Sequence, residues 1–382
     1  MANEPTFDET LTRNAFPASP DLARLDGNAQ PSVAQTHAEA DAAMTQSWSG
    51  IGRIFSFFAI IVVLAFAMNA MITSGLRRTK TSLFGVENQI MEGKVNAQVL
   101  IGGSSRAIAH YDPRVIESIT GHTAYNVGRN GAQTDMQVAF LKAYLAHNQK
   151  PQVVIFNLDA FTFVTSRDVF DPVEYTPYLY DPTLYDALRK INPGIWKSKY
   201  IPLYGYVVED MNFSWVRGLR GFFGWNPKED FFLGFNPRTK QWTDDFARMK
   251  ENNPNGVRFE IQPKGITVMQ DLISTCQQNG IQLIFVYSPE YSEMQALEKD
   301  RPEVFKLFHD LSQQFNVPFW DYSDWKYSND QDFFQNSQHL NFTGAEVFSE
   351  DVANQLKTYF ASQVQSTGNS QVAGKLDHPT QD

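Results

Sequence analysis

The chain has 382 residues, of which 42% are apolar and 14% aromatic, and this composition excludes a globally disordered protein. Its single cysteine, Cys276, excludes an internal disulfide framework and any zinc or iron–sulfur site built from several cysteines. A formal charge of -10 argues against nucleic-acid binding, which needs a basic face to displace counterions from phosphates.

The first fifty residues are rich in Ala, Asp, Glu, Gln, Ser and Thr, and their only aromatic residues are Phe7, Phe16 and Trp48. Such a segment buries too little apolar surface to offset the entropy lost on ordering. We therefore predict a disordered tail over residues 1–50.

An uncharged apolar stretch, IFSFFAIIVVLAFAMNAMI, runs from Ile54 to Ile72. At about 1.5 Å per residue it just crosses a bilayer core of about 30 Å. We predict a transmembrane anchor over 51–74 and a linker over 75–94. A signal peptide and a buried helix are the alternatives, although the stretch begins too deep in the chain for a signal peptide.

The orientation of this anchor stays open from the residues alone. Arg77, Arg78 and Lys80 follow it and only Arg53 immediately precedes it, so the positive-inside rule places the large domain in the cytoplasm. The long N-terminal tail favours the opposite side, because it is easier to leave in the cytoplasm than to translocate.

Beyond the anchor, short β-type runs alternate with segments of helical periodicity, which is the pattern of a parallel sheet covered by helices. We predict a three-layer α/β domain over 95–361. Its expected strands are Ala97–Ile101, Thr123–Val127, Val153–Leu158, Ile281–Tyr287 and Val317–Phe319.

Residues 162–260 interrupt this rhythm with a segment dense in aromatic residues, Pro and Gly, which predicts an inserted cap. Its tryptophans suit stacking on sugar faces, or they form the core of the cap itself. These tryptophans are Trp196, Trp215, Trp225 and Trp242. The polar segment 362–382 is predicted to be a second disordered tail.

Two segments carry residues suited to acyl-transfer chemistry. The first strand leads into Gly102, Gly103, Ser104 and Ser105, a turn that can lift a serine hydroxyl to the carboxyl edge of the sheet. An ordinary turn in which a serine caps the next helix is the alternative. His339, in NSQHLNFTGAEVF, lies before a helix and is either a general base or a structural histidine.

Taken in order, these segments resemble the SGNH/GDSL hydrolase superfamily. Ser105 is similar to its nucleophile, Asn126, Gly128 and Gly131 to its second block, and His339 to its last. The resemblance implies a flavodoxin-like α/β domain in which His339 activates Ser105. It also implies an oxyanion hole formed by the backbone amides of Ser105 and Gly131.

Two positions depart from the family pattern. Leu158 stands where the family has an asparagine that donates to the oxyanion, and Asn336 stands where it has the aspartate that orients the histidine. An asparagine oxygen can still hold the useful tautomer, although loss of the acid cost about 10⁴ in kcat in a serine protease. Asp332 is the alternative acid. Ser104 is the alternative nucleophile, because the doubled serine leaves the register ambiguous by one residue.

More narrowly, the anchor, the Ser-Ser-Arg block and the HLNxxGA segment resemble bacterial membrane-anchored proteins that acylate cell-surface polymers. Teichoic-acid D-alanylation, alginate acetylation and cellulose acetylation proteins are of that kind. This resemblance implies a serine-dependent O-acyltransferase or carbohydrate esterase acting on a polysaccharide, with a polytopic membrane acyltransferase as partner. It also implies a place in the bacterial cytoplasmic (inner) membrane with the large domain outside.

Several assignments have competing interpretations. Arg106 and Asn130 are candidate substrate contacts, but Arg106 also fits either a solvated or a sheet-edge arginine, and Asp159 fits a loop or capping residue. No paired histidine spacing predicts a metal site, and no cofactor is expected. The two departures favour a catalytically inactive scaffold or a glycan-binding subunit as the alternative function. A lipid or thioester hydrolase is a third possibility.

Overall fold

A computed structural model of the protein describes residues 33–208, 213–226, 228, 231–239, 241–243 and 245–373. Backbone contacts divide the chain into two compact units, Met1–Val62 and Val63–Asp382. Helix α1, Val33–Arg77, begins in the first unit and ends in the second.

Within α1, the segment Gly50–Arg77 is long and apolar enough to cross a membrane. Its apolar window has a mean hydropathy of 2.4, and none of that window is buried. The predicted tail 1–50 is helical from Val33, because Ala, Glu, Gln and Met are strong helix formers there. Residues 1–32 lie outside the described part of the chain.

A five-stranded sheet forms the centre of the second unit, with strand order β2-β1-β3-β4-β5 and every neighbouring pair parallel. Each strand overlaps a predicted strand, and the largest difference is β5, which is shifted by two residues at both ends and spans Phe319–Asp321 rather than Val317–Phe319. The strands are β1 Val99–Gly102, β2 Ala124–Asn126, β3 Val153–Leu158, β4 Gln282–Tyr287 and β5 Phe319–Asp321.

Alternate residues of the strands enter two separate hydrophobic cores, one on each face of the sheet. Leu100, Val154 and Phe285 belong to one core, whereas Val99 and Ile155 belong to the other. Because side chains alternate across a strand, two cores mean that helices cover both faces. The domain is therefore the three-layer α/β structure that the sequence predicts.

Thirteen further α-helices lie in the described part of the second unit. They are α2 Ser82–Met91, α3 Ser105–His110, α4 Pro113–Thr120, α5 Thr134–His147, α6 Pro182–Ile191, α7 Trp196–Tyr200, α8 Tyr204–Val207, α9 Ser214–Phe222, α10 Asp245–Asn252, α11 Pro263–Gln278, α12 Ser292–Leu297, α13 Arg301–Phe315 and α14 Phe342–Ala373.

Two predicted boundaries need correction. The segment 75–94 is not a linker, because α2 packs Val86 and Ile90 into the first core. The predicted tail 362–382 is helical as far as Ala373, and residues 374–382 lie outside the described part of the chain.

The aromatic segment 162–260 lies in the connection from β3 to β4, before α11. These two strands pair directly over their whole length, with Val153 opposite Gln282 and Leu158 opposite Tyr287. The segment is thus an insertion between sheet neighbours and contains α6 to α10. In this order of strands, β1 and β3 form the switch point, where the connections leave in opposite directions. Crevices at the carboxyl ends of such strands are where ligands bind.

Candidate active site

A tight turn after β1 positions the first functional side chain. Gly103 has φ 141°, and a Cβ at this residue would lie 2.8 Å from the Cβ of Asn157 and 2.9 Å from that of Ala107. Only glycine fits such a position. The chain therefore turns directly from the strand into α3, which begins at Ser105.

The two serines of this turn have different environments. Ser104 is the N-cap of α3: its Oγ accepts a hydrogen bond from the Arg106 amide at 3.2 Å, and the residue is 1% exposed. It is therefore a capping residue, and the alternative prediction of Ser104 as nucleophile is wrong. Ser105 is half-buried and is the serine that meets the histidine.

Ser105, His339 and Asn336 form one hydrogen-bonded chain. Ser105 Oγ lies 2.8 Å from His339 Nε2, and His339 Nδ1 lies 3.0 Å from Asn336 Oδ1. These residues come from the end of β1 and from the loop before α14, separated by more than two hundred positions. Asp332, the alternative acid, is exposed and is not the partner of His339 Nδ1, because Asn336 occupies that place.

The tautomer of His339 follows from the other bonds of Asn336. Its Oδ1 also accepts the backbone N–H groups of Gln338 at 3.0 Å and of His339 at 2.9 Å. Since backbone amides only donate, this atom is an oxygen, and His339 Nδ1 must carry the proton that it donates. Nε2 therefore has a free lone pair facing Ser105 and can accept the hydroxyl proton.

A second histidine, His110 at the end of α3, holds the loop that carries His339. Its Nε2 accepts the backbone N–H of Leu340 at 3.1 Å, and its Nδ1 lies 2.9 Å from Ser288 Oγ. The Leu340 bond requires an unprotonated Nε2, so His110 is neutral with its proton on Nδ1. Complete burial and the nearby Arg106 charge lower the pKa of His110 well below its usual value, which keeps it neutral.

Both histidines are held in the uncharged form. Burial lowers the pKa of His339 to about 3, with further contributions from the charges of Arg238 and Arg106. A general base must be unprotonated to act, so His339 is available as a base over the whole neutral and mildly acidic range. The imidazolium that forms on proton transfer, however, has only a neutral amide oxygen as its partner.

Arg238, in the cap, brings a positive charge near the dyad. Its Nη2 donates to Asn130 Oδ1 at 3.3 Å, and its Nε is buried with no acceptor among the described residues. Burial lowers its pKa. It lines a cleft of about 540 Å³ together with Trp242, Gln331 and Asp332. The predicted candidate Asn130 thus lies beside this arginine.

Arg106 does not line this cleft. It is 3% exposed, and its Nη1 lies 3.3 Å from Asp159 Oδ1 and 3.2 Å from Glu290 Oε1. Its Nη2 donates to the carbonyl of Ser288. The prediction that Arg106 contacts substrate is therefore wrong, and so is the solvated alternative. Asp159, predicted to be a loop or capping residue, is instead a buried ion-pair partner.

The two predicted oxyanion donors lie in the turn after β1 and in the loop after β2. Ser105 is the first residue of α3, so its N–H has no carbonyl partner within the helix. Gly131, with φ 61°, lies in the loop after β2, which the bond from Arg129 N to Gly103 O, at 2.9 Å, ties to the nucleophile turn. Their role as donors stays a prediction.

The remaining residues of the resemblance are structural. Asn126 donates to the carbonyls of Ala107 and Tyr111 and accepts from Gly128, which uses both of its amide donors and one of its two acceptor positions. Leu158 belongs to the first hydrophobic core, so it offers no donor in place of the family asparagine.

Comparisons with known proteins find similarity only among solved structures, since no family model and no curated protein matches the sequence. A GDSL-like lipase from Bacteroides thetaiotaomicron aligns over 73% of this chain and 99% of its own, with 8% identity and a TM-score of 0.33. An active-site mutant of a family two carbohydrate esterase from Clostridium thermocellum aligns over 70% of this chain and 65% of its own, with 10% identity and a TM-score of 0.33. Because both the structural similarity and the sequence identity are this low, the roles of the site residues follow from the contacts within this chain alone.

Sequence reasoning missed His110 and Arg238. His110 lies five positions after Ser105 on a short helix, and its use depends on a contact with Leu340, 230 residues away. Arg238 lies in an irregular segment with no periodicity to place it. Neither residue has a local signal that sets it apart from an ordinary histidine or arginine.

Proposed function

We propose that the protein is a membrane-anchored serine enzyme that transfers or removes short acyl groups on a cell-envelope polysaccharide. The observation that carries this proposal is the Ser105–His339 hydrogen bond of 2.8 Å, with Asn336 holding the tautomer that leaves Nε2 unprotonated. This is the geometry that nucleophilic acyl transfer needs.

In the proposed reaction, His339 Nε2 removes the hydroxyl proton of Ser105 as Oγ bonds to the carbonyl carbon of an acyl donor. The oxyanion accepts hydrogen bonds from the backbone amides of Ser105 and Gly131. The proton on Nε2 then passes to the departing alkoxide, which leaves an acyl-serine. A sugar hydroxyl or water attacks that ester, gives its proton to His339 and releases the acyl group, and the proton returns to Ser105.

Three features support the polysaccharide and membrane parts of the proposal. The cleft lined by Arg238, whose charge acts on His339, combines an aromatic ring, Trp242, with the amide of Gln331 and the hydroxyls of Thr239 and Thr343, groups that suit a sugar. Helix α1 is apolar enough to span a bilayer. If the domain faces outward, no soluble acyl donor reaches it, so a polytopic membrane acyltransferase would have to deliver the acyl group from the cytoplasm.

A fluorophosphonate probe tests the nucleophile directly in the full chain, purified in detergent. We expect a covalent adduct at Ser105, found by peptide mass spectrometry, and complete loss of labelling in Ser105→Ala and His339→Gln. Ser104→Ala is the matched control: it removes a helix cap worth about 1 kcal/mol but leaves labelling intact.

The alternative is an inactive scaffold in a polysaccharide complex, favoured by the neutral Asn336 and by Leu158. It predicts no adduct and unchanged acylation of the polymer in cells that carry Ser105→Ala. An adduct on any other residue would overturn the site assignment. A preference for long-chain nitrophenyl esters would indicate a lipid hydrolase instead.

A further inference from the structure

Arg129 joins the two loops that carry the proposed nucleophile and the proposed oxyanion donor. Its backbone N–H donates to the carbonyl of Gly103 at 2.9 Å, two residues before Ser105. Its own carbonyl accepts the N–H of Ala132 at 3.5 Å, which closes a turn whose third residue is Gly131, with φ 61°. The position of Arg129 therefore governs the position of the Gly131 amide relative to Ser105.

The side chain of Arg129 is completely buried and pairs with a carboxylate on α2. Arg129 is 0% exposed and Glu87 is 1% exposed, and Nη2 of the arginine donates to Oε2 of the glutamate. The guanidinium carbon also lies 3.7 Å from the centre of the Phe140 ring on α5. Two helices thus hold this guanidinium, one by an ion pair and one by an aromatic face.

This ion pair is poorly arranged for stability. Arg129 Nε and Nη1 are buried without an acceptor in the part of the chain that the structure describes, and Glu87 Oε1 is buried there without a donor. Buried polar atoms without partners cost free energy, and a buried ion pair is often no more stable than apolar residues of similar size. Stability alone therefore does not account for the pair, and its place beside the proposed active site indicates another role.

A buried charge is well suited to holding a loop in one place. Apolar side chains repack at little cost, whereas a buried guanidinium that moves away from its carboxylate loses the charge that compensates it. The preceding residue, Gly128, is held by packing, since a Cβ there would lie 2.9 Å from the Cβ of Ala107 on α3. The ion pair with Glu87 then holds the chain where it leaves this contact and enters the turn of residues 129–132.

Helix α2, which carries Glu87, is itself tied to the end of the apolar helix. Asn88, the next residue on α2, donates through Nδ2 to the carbonyls of Leu76 and Thr79, each at 2.8 Å. Its Oδ1 accepts the hydroxyl of Tyr178. Helix α2 is therefore a fixed support, from which Glu87 reaches the turn.

We propose that Glu87 and Arg129 are positioning residues, whose ion pair holds the turn that carries the Gly131 amide beside the turn that carries Ser105. The inference rests on the proposed function, because it gives the pair a part in stabilising the oxyanion. Both side chains are buried, so they act on the oxyanion only through the backbone of residues 129–131.

The double variant Glu87→Met/Arg129→Met separates positioning from stability in the full chain, purified in detergent. It removes both charges together, so we expect its free energy of unfolding to equal or exceed that of the wild type. The readouts are the rate at which a fluorophosphonate labels Ser105, and kcat and KM for 4-nitrophenyl acetate. We expect the labelling rate and kcat to fall by about 10- to 100-fold, because both reactions place an oxygen in the oxyanion hole. KM should change by less than about twofold, because the pair does not touch the substrate.

Glu87→Gln tests the charge alone, since the amide has nearly the size of the carboxylate. We expect the same losses per folded molecule, with the folded fraction measured by circular dichroism. Glu298→Gln is the matched control, because Glu298 is 5% exposed and pairs with Arg301 at 2.7 Å, but this pair lies at the start of α13 and not on the turn of residues 129–132. This control should lose stability and keep the wild-type labelling rate.

The other outcomes are separable. A double variant that is as stable as the wild type and is labelled as fast would overturn the positioning role and leave the proposed function intact. If the double variant does not fold, Glu87→Gln decides the question. Equal losses of rate in Glu87→Gln and Glu298→Gln would also overturn the inference, since any broken buried pair would then slow the reaction. If Ser105 of the wild type is not labelled at all, the proposed function fails and the positioning role fails with it.

Discussion

Ser105 and Arg106 are consecutive residues of α3, yet they belong to two regions of opposite character. Ser105 joins His339 and Asn336 in a half-buried cluster without a formal charge. Arg106 points below it into a buried network of charges. That network also contains Asp159, Glu290, Glu298 and Arg301, and Glu290 bridges the two arginines.

The difference shows how the fold uses its charges. Ion pairs connect α3 to the segments that follow β3 and β4. The side chains proposed to react, by contrast, carry no charge. Burial raises the pKa of Asp159 to about 6 although Arg106 lies beside it, so the desolvation cost of this region is large. The carboxylates near α3 thus serve structure, and none of them partners His339 Nδ1.

Replacing Arg106 removes a cation from the buried charge network. Of the changes predicted here, we expect this one to have the largest effect, a loss of folding stability. Arg106→Met leaves Asp159 and Glu290 without their cation, and breaking a buried pair in this way costs about 3–5 kcal/mol. We expect the free energy of unfolding, measured by chemical denaturation in detergent, to fall by this amount.

Arg114→Met is the control for that experiment. Arg114 pairs with Asp112 at 2.6 Å but is 43% exposed, and partly exposed pairs contribute about 1 kcal/mol or less. An Arg106→Met protein of unchanged stability that had lost affinity for the polysaccharide would instead restore Arg106 as a substrate contact.

Asn336→Asp gives the neutral region the charge that it lacks. An aspartate oxygen can accept the same three N–H groups, so the loop should keep its conformation. The carboxylate stabilises the imidazolium, and we expect kcat to rise about tenfold, a fraction of the 10⁴ lost by the reverse change in a serine protease.

The same variant has a pH signature. The added negative charge raises the pKa of His339 above its value of about 3, so the acid limb of kcat/KM moves to higher pH. Asn336→Ala, which keeps neither the acceptor nor the charge, should lower kcat. If Asn336→Asp and Asn336→Ala lower kcat equally, Asn336 acts only by holding the conformation of the loop that carries His339.

Because His110 is neutral in the folded protein, it makes the free energy of unfolding depend on pH in the acidic range. Its folded pKa lies below its unfolded pKa of about 6.5, so the unfolded chain binds more protons and stability falls as the pH drops below 6.5. Below pH 6.5 this residue should therefore account for a progressive loss of stability as the pH falls. His110→Gln keeps an acceptor for Leu340 and does not titrate, so its unfolding free energy should fall less over this range. An identical fall in both proteins would contradict the assignment.

The sequence predicted most of the fold, because each strand is a compact β-type run and the insertion changes composition sharply. It also predicted that Ser105, His339 and Asn336 come together, since the order of the blocks carries the resemblance, and the structure shows their contacts. Their catalytic roles stay predictions. The sequence-based prediction failed for α2, although Leu83, Val86 and Ile90 have helical spacing and mark a buried face.

The other failures have a different physical origin. The partners of Arg106 come from the segments that directly follow β3 and β4, and nothing near position 106 indicates that an arginine there is buried. The neutral state of His110 and the charge of Arg238 also depend on tertiary contacts. Burial and pairing between distant segments decide these roles, and spacing along the chain does not encode them.

The smallest expected effect concerns Arg238, whose positive charge lowers the pKa of His339 from a distance. Arg238→Gln should therefore raise that pKa, and only slightly, because the charge is partly screened by solvent. The shift is best measured in the Asn336→Asp protein, where the acid limb of kcat/KM lies at a more accessible pH. Arg248→Gln on α10 removes the same charge from a side chain that is 73% exposed, and it should leave the limb in place. If the acid limb of kcat/KM shifts equally in the Arg238→Gln and Arg248→Gln proteins, the shift reflects the net charge of the protein. That result would contradict a specific effect of Arg238 on the pKa of His339.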